Sequence, residues 1–142
     1  MDRKGKAGNW EGKTEEDRGG NSLYQELEKF IIWEKAHRLV LDVYRVSAGF
    51  PKEELYGLTS QIRRASVSIP SNIVEGKARG SNREYKRFLF IARGSLEEAK
   101  YHFLLAKDLK YINDETYDDL LYAANEVGKL LNGLIGSLNA KI

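Results

Sequence analysis

The stretch LYGLTSQIRRASVSIPSNI, residues 55–73, decides the fold. Its apolar side chains recur at steps of three and four, which is the period of one face of an α-helix. The apolar positions are Leu55, Leu58, Ile62, Ala65, Ile69 and Ile73. Because the period continues on both sides of Pro70, we expect a kink there and not the end of the helix. This predicts helix two, which begins near Lys52 and buries one face.

Three further segments have the same apolar period. Helix one is predicted over about residues 28–47, and Ser81-Asn82-Arg83-Glu84 reads as a capping box that opens helix three. Either Asn113 or Asp114 caps helix four. The connections are only a few residues long, which favours antiparallel neighbours. The predicted fold is therefore all-α, an antiparallel up-down-up-down four-helix bundle over residues 27–142.

The start of the chain has a different composition. Glycines and charged residues dominate the first 22 positions, where Trp10 is the only aromatic residue. Burial of so few apolar groups cannot offset the entropy lost on ordering the backbone. We therefore predict that residues 1–26 form a flexible, disordered tail.

The composition excludes several classes of protein. The chain has no cysteine, so it has no disulfide, no thiolate metal site and no cysteine nucleophile. No apolar run approaches the roughly 18 residues that a membrane span needs. We expect a protein of the reducing cytoplasm that does not enter a membrane.

Residues typical of catalytic sites are scarce. Glu34 and His37 have the Glu-x-x-His spacing of di-iron bundles, but a second such pair is missing because His102 has Glu98 four positions before it. No serine elbow of the G-x-S-x-G type and no phosphate-binding glycine loop occurs. We expect no enzyme, no metal and no cofactor, and a metal-dependent enzyme is the weakest hypothesis.

Charge is distributed unevenly although the net charge is only +2. Residues 62–93 contain eight basic and two acidic side chains, a net of +6, whereas residues 94–142 contain five basic and eight acidic ones, a net of −3. The basic residues are Arg63, Arg64, Lys77, Arg79, Arg83, Lys86, Arg87 and Arg93. We predict that these eight contact nucleic-acid phosphates. The alternative is a solvated face with ion pairs to Glu75 and Glu84.

Aromatic residues are more numerous than the core of a small bundle needs. Those outside the main stripes indicate a second buried surface, namely an interface between subunits. The sequence therefore predicts a homo-oligomer. An alternative hypothesis is a protein-interaction module that uses the same aromatic surface to hold a partner.

Several long motifs resemble the four-helix bundle family of 23S ribosomal RNA intervening-sequence proteins, over about residues 27–138. They are Phe50-Pro51-Lys52-Glu53-Glu54-Leu55-Tyr56-Gly57-Leu58, Gln61-Ile62-Arg63-Arg64-Ala65, Ser68-Ile69-Pro70-Ser71-Asn72-Ile73 with Glu75-Gly76, Arg87-Phe88-Leu89, Ile91-Ala92-Arg93-Gly94-Ser95-Leu96-Glu97-Glu98 and Tyr111-Ile112. The resemblance implies a closed homopentamer without enzymatic activity, encoded within insertions in the large ribosomal RNA gene of some bacteria. Related bundles are accessory proteins of diversity-generating retroelements that bind nucleic acid and a reverse transcriptase. The basic residues other than Lys86 look like the basic positions of this family.

Two features depart from the family pattern. The segment before the bundle is longer than is usual, so the resemblance implies nothing about it. Lys110 precedes Tyr111-Ile112 at a position where glycine is typical. We expect this lysine to alter the turn before helix four.

Overall fold

The computed structural model describes residues 22–140, which form four long α-helices and no strand. The helices are α1 (Ser22–Ser47), α2 (Leu58–Ala78), α3 (Asn82–Asp108) and α4 (Asp114–Asn139), with a short 3-10 helix at Lys52–Glu54 between α1 and α2. The residues of the core lie within the compact unit that spans residues 32–142. The predicted all-α bundle is confirmed.

Polar contacts between helices show that neighbours along the chain run antiparallel. Ser47 near the end of α1 contacts Arg63 early in α2, and Ser68 in the middle of α2 contacts Ser95 in the middle of α3. Lys86 early in α3 contacts Asn139 at the end of α4. Lys35 on α1 forms an ion pair with Glu126 on α4. Each helix therefore packs beside the next, and α4 returns to the side of α1. This is the predicted up-down-up-down arrangement.

The beginning of α1 differs from the prediction. The helix starts at Ser22, so residues 22–26 are helical where a flexible tail was expected. The sequence there contains Gln25 and Glu26, which are good helix formers on their own. The apolar period could not identify them because these side chains are polar. The remainder of the predicted tail, residues 1–21, lies outside the described residues.

The apolar stripes of the sequence form one continuous core. Ile62, Ile69, Leu89 and Leu131 are fully buried, each at most 1% exposed. The exception in the stripe of helix two is Leu55, which is 51% exposed. Its position was predicted wrongly because α2 begins at Leu58, after the 3-10 helix and a turn, and not near Lys52.

Glu54 organises this late start of α2. One carboxylate oxygen accepts a hydrogen bond from the Leu58 backbone N–H at 2.9 Å, and the other accepts one from the Tyr111 hydroxyl at 2.7 Å. Both hydrogen bonds lower the pKa of Glu54 because they favour the ionised carboxylate, and the bond from Leu58 has the larger effect. The same contact raises the pKa of Tyr111. Glu54 thus caps α2 and ties it to the α3–α4 turn.

The α2 helix continues through Pro70, as the apolar period predicted. Proline lacks the N–H that would bond the carbonyl four residues earlier, at a cost of about 3 kcal/mol in an ordinary helix. Side chains nearby bond other carbonyls of this turn: Ser66 Oγ donates to the Arg63 carbonyl at 3.1 Å, and Asn72 Nδ2 donates to the Ser68 carbonyl at 2.7 Å. Pro70 itself is buried. The angle of the predicted kink stays a prediction.

The two helix starts marked by capping residues are close to their predictions. Ser81 Oγ accepts from the Glu84 N–H at 3.1 Å, which is one half of the predicted capping box. The Glu84 carboxylate pairs with Arg87 at 3.1 Å. Of the two candidate caps of α4, Asn113 is the one used, since its side-chain oxygen accepts from the Thr116 N–H at 2.7 Å.

The turn after α3 places Lys110 in the left-handed region, with φ of 68°. The Tyr111 N–H donates to the Ala106 carbonyl at 2.8 Å and the Lys110 N–H donates to the Lys107 carbonyl at 2.9 Å. This is the hydrogen-bond pattern of a Schellman motif, in which glycine is the usual residue. Lysine therefore does not remove the turn but holds the glycine conformation under strain.

Replacing Lys110 by glycine should stabilise the protein. Relief of the left-handed strain, less the entropy that glycine adds to the unfolded chain, amounts to about 1 kcal/mol. The urea midpoint of Lys110→Gly should rise at an unchanged slope. Gly80→Ala is the matched control, because Gly80 has φ of 88° and open space around its Cβ position, so strain alone should lower the midpoint. An unchanged or lower midpoint for Lys110→Gly would contradict the strain argument.

Candidate nucleic-acid interface

Gly76 allows the end of α2 to pack closely against the start of α3. A Cβ at this buried position would lie 2.6 Å from the Phe88 Cβ and 3.1 Å from the Tyr85 Cδ1. No real Cβ tolerates the shorter distance, so only glycine fits the present spacing. The close contact brings the last turn of α2 and the first turns of α3 together at one end of the bundle.

Five basic residues of the predicted site surround this end. They are Lys77, Arg79, Arg83, Lys86 and Arg87, here called the turn cluster. All are exposed except Lys86, which is half-buried and donates from Nζ to Asn139 Oδ1 at 2.8 Å. The acidic residues close to them in sequence are Glu75 and Glu84, so the segment from 75 to 87 carries a net charge of +3 (five minus two).

Phe88 supports two guanidinium groups of the turn cluster. The Cζ atoms of Arg79 and Arg87 lie 4.8 and 4.7 Å from the centre of its ring, within the range of cation–π attraction. Arg79 also pairs with Glu75 at 2.9 Å, and Arg87 pairs with Glu84. These pairs are exposed and contribute little to stability. They and the ring restrict the two guanidinium groups to one place.

The cations of the turn cluster retain capacity for an anionic ligand. A guanidinium has five N–H donors arranged in a planar fork, and the contact of each arginine with its glutamate is through one nitrogen. Phosphate oxygens match such forks through paired hydrogen bonds. The geometry can therefore hold phosphate groups without displacing the ion pairs.

Arg93 lies further along α3, on the side that faces α4. Its Nη1 donates to Asn132 Oδ1 at 2.9 Å, and its Cζ lies 4.8 Å from the centre of the Phe90 ring. Two turns of helix separate Arg93 from Lys86, or roughly 10 Å at 1.5 Å per residue. Arg93 is thus near the turn cluster but not part of it.

Arg63 and Arg64 lie towards the other end of the bundle. Arg63 is held by α1, since its Nε donates to Ser47 Oγ at 2.7 Å and its Cζ lies 4.5 Å from the centre of the Tyr44 ring. Arg64 is exposed one position further along α2, roughly 20 Å from Lys77 at 1.5 Å per residue. The eight predicted residues therefore form no single patch, and their binding of nucleic acid stays a prediction.

Sequence reasoning missed the roles of Phe88 and Gly76. Phe88 was assigned to the core, where it does lie at 6% exposure, but its ring also faces two arginines. The spacing of Arg87 and Phe88 gave no sign that Arg79 would reach the same ring from another helix. A glycine close to the end of helix two was the one available signal for close packing.

Among the described residues, no group of three or more His, Cys, Asp or Glu side chains is placed to hold a metal ion. His37 stacks on Trp33, with ring centres 5.0 Å apart. His102 is buried, and burial lowers its pKa although Glu98 at 3.7 Å opposes this. Within residues 22–140, no helix is both long and apolar enough to cross a lipid bilayer.

Comparison with known proteins supports the resemblance inferred from the motifs. The family model described as 23S rRNA-intervening sequence protein matches residues 28–133. A crystal structure of a protein with unknown function from the S23 ribosomal protein family of Bacteroides thetaiotaomicron is similar, with a TM-score of 0.72 at 24% sequence identity, covering 77% of this chain and 98% of that one. At this identity the likeness concerns the fold alone. No curated protein matches the sequence.

Gly76→Ala should destabilise the bundle and disturb the turn cluster. The added methyl must push Phe88 and α3 away, and overpacking of this kind costs about 1–3 kcal/mol. The urea midpoint should fall accordingly. Gly94→Ala is the matched control, because that helical glycine is exposed with open space at its Cβ position, and alanine should stabilise α3 by about 0.5–1 kcal/mol. Equal effects of the two substitutions would contradict the close packing at Gly76.

Proposed function

Because the chain belongs to the 23S rRNA-intervening sequence protein family, we propose that it is a non-enzymatic, cytoplasmic, oligomeric protein that binds the phosphate backbone of RNA or DNA. The turn cluster is the proposed contact. Arg93 extends it along α3, and Arg63 with Arg64 forms a second contact further along α2. No catalytic step and no cofactor is part of this function.

The observation that carries the proposal is the assembly of the turn cluster by the α2–α3 contact. Five cations around one turn face two carboxylates, and Phe88 holds two of the guanidinium groups in place. Phosphate contacts of this kind release the counterions condensed on nucleic acid, which makes them favourable at low salt. Preorganised guanidinium groups also lose less side-chain entropy on binding.

The turn cluster fits phosphates better than bases. Its aromatic residue, Phe88, is buried beneath the guanidinium groups, so a nucleobase cannot stack on it. Contacts to phosphate position a nucleic acid but carry no sequence information by themselves. We therefore expect this surface to bind with little preference for sequence.

Exposed apolar residues on α3 support the proposed oligomer. Phe90, Ile91, Tyr101 and Leu104 are 38–59% exposed. Apolar and aromatic residues at a surface are typical of protein interfaces. In the homopentamer that the resemblance implies, several turn clusters would act on one nucleic acid and raise its effective local concentration.

The same α3 residues support a second candidate, a scaffold that holds a ribosomal or reverse-transcriptase partner. In this case the apolar residues would contact another protein and not a second copy. Copurification from the native host separates the two, since recovery of the homo-oligomer alone would count against the scaffold.

RNA binding to the full chain should depend steeply on salt. A double substitution Arg83→Glu with Arg87→Glu should strongly weaken binding at low salt, because it reverses two of the five charges of the turn cluster. The measurement is fluorescence anisotropy of labelled RNA over a series of salt concentrations. Arg45→Glu is the matched control on α1, where the arginine is exposed and pairs with Asp42 of the same helix. An RNA affinity that does not change with salt concentration, or a double variant that binds RNA as tightly as the wild-type protein, would reject the proposal.

Multi-angle light scattering of the full chain tests the oligomer. The expected mass is five times that of one chain. Tyr101→Ser on the exposed face of α3 should lower this mass while the helical content stays constant. A monomeric wild-type protein would contradict the proposed homopentamer.

A further inference from the structure

A cavity that is separate from the turn cluster lies where the 3-10 helix leads into α2. Its volume is about 450 Å³, which is within the range of ligand sites in proteins. Its lining includes Tyr44, Tyr56, Ser60, Arg63 and Arg64. Two aromatic rings, two guanidinium groups and hydroxyl groups therefore meet at one place.

Tyr56 presents its ring almost completely to solvent. At 92% exposure it is the most exposed large apolar side chain among the described residues. The backbone on both sides is nonetheless fixed, because the Leu55 N–H donates to the Lys52 carbonyl at 3.1 Å and the Gly57 N–H donates to the Glu54 carbonyl at 2.9 Å. A ring on a fixed backbone with an uncovered face is a stacking platform, which Phe88 is not.

The charge at this cavity favours an anion. None of the described residues that line the cavity is acidic, whereas two of them, Arg63 and Arg64, are basic. Arg63 is fixed by Ser47 and the Tyr44 ring, and Arg64 beside it is exposed. The cavity thus combines a fixed cation, an exposed cation and an aromatic surface.

We propose that this cavity binds an unpaired nucleotide of a single-stranded nucleic acid, with its base on Tyr56 and its phosphate at Arg64. The proposal deepens the proposed function and rests on it. Aromatic stacking combined with arginine contacts is the usual way to hold a single strand without reading its sequence. A duplex keeps its bases paired and stacked inside, so it offers no base to Tyr56. Its phosphates would then contact the basic residues without using Tyr56.

The separation of the two sites sets a minimum length for the strand. Arg64 and Lys77 are roughly 20 Å apart along α2. At about 3.4 Å per nucleotide, the spacing of a stacked strand in B-form DNA, this corresponds to about six nucleotides, and a more extended strand needs fewer. A strand of six or more nucleotides is therefore long enough to contact both sites on one subunit.

The test compares a fluorescein-labelled single-stranded RNA of twelve nucleotides with a duplex of the same length, by anisotropy with the full chain. Tyr56→Ser should weaken binding of the single strand about tenfold and leave binding of the duplex unchanged. Its salt dependence should keep the wild-type slope, because stacking releases no counterions, whereas Arg64→Gln should reduce the slope by about one. Tyr122→Ser is the matched control, since Tyr122 is 70% exposed on α4 and away from the cavity. It should change neither affinity.

Three outcomes would overturn the proposal. Unchanged single-strand affinity of Tyr56→Ser would reject this cavity and leave the turn cluster intact as the binding site. Loss of the wild-type oligomer in Tyr56→Ser, measured by light scattering, would show that the ring belongs to a subunit interface. Absence of any RNA binding by the wild-type chain would reject the proposed function together with this site. Conversely, photocrosslinking of a 4-thiouridine strand to the peptide that contains Tyr56 would support the stacked base.

Discussion

The close approach of α2 and α3 at Gly76 is the contact on which the rest of the structure depends. With no Cβ between Gly76 and Phe88, the antiparallel helices pack close enough for Ser68 and Ser95 to share a hydrogen bond of 2.8 Å further along. The same approach brings Arg79, which follows α2, to the ring of a residue in α3. A wider spacing would separate the arginines and leave an ordinary solvated turn.

Gathering five cations at one end of a small bundle has an electrostatic cost. The protein reduces it with exposed ion pairs and with the face of Phe88, both of which act without neutralising the cluster. The cations stay at the surface and keep most of their solvation. Their arrangement therefore adds little to the stability of the fold.

Much of the fold could be predicted from the sequence because its main determinants are local. The spacing of Ile62, Ile69 and Ile73 identified the buried face of α2, and Ser81 marked the start of α3. The start of α2 could not be predicted in the same way. It depends on Glu54 reaching both Leu58 and Tyr111, and Tyr111 is more than fifty residues away in the chain.

The candidate site was less predictable than the fold. The sequence identified the basic residues by composition, but their grouping depends on which helix end each occupies and on contacts between helices. Arg63 and Arg64 belong to the same basic segment as Lys77, but the length of α2 holds Arg64 and Lys77 roughly 20 Å apart. Arg79 and Arg87 meet at one ring only because two helices are antiparallel and close. Such relations appear in three dimensions and not in spacing.

We propose that the α2–α3 contact creates a surface for nucleic acid. Hydrogen exchange of the full chain, with and without single-stranded RNA, tests it most directly because it locates the contact without changing a residue. If RNA covers the turn cluster, backbone amides in residues 76–88 should exchange more slowly after RNA is added. Protection confined to the acidic start of α4, or no protection in residues 76–88 at saturating RNA, would contradict it.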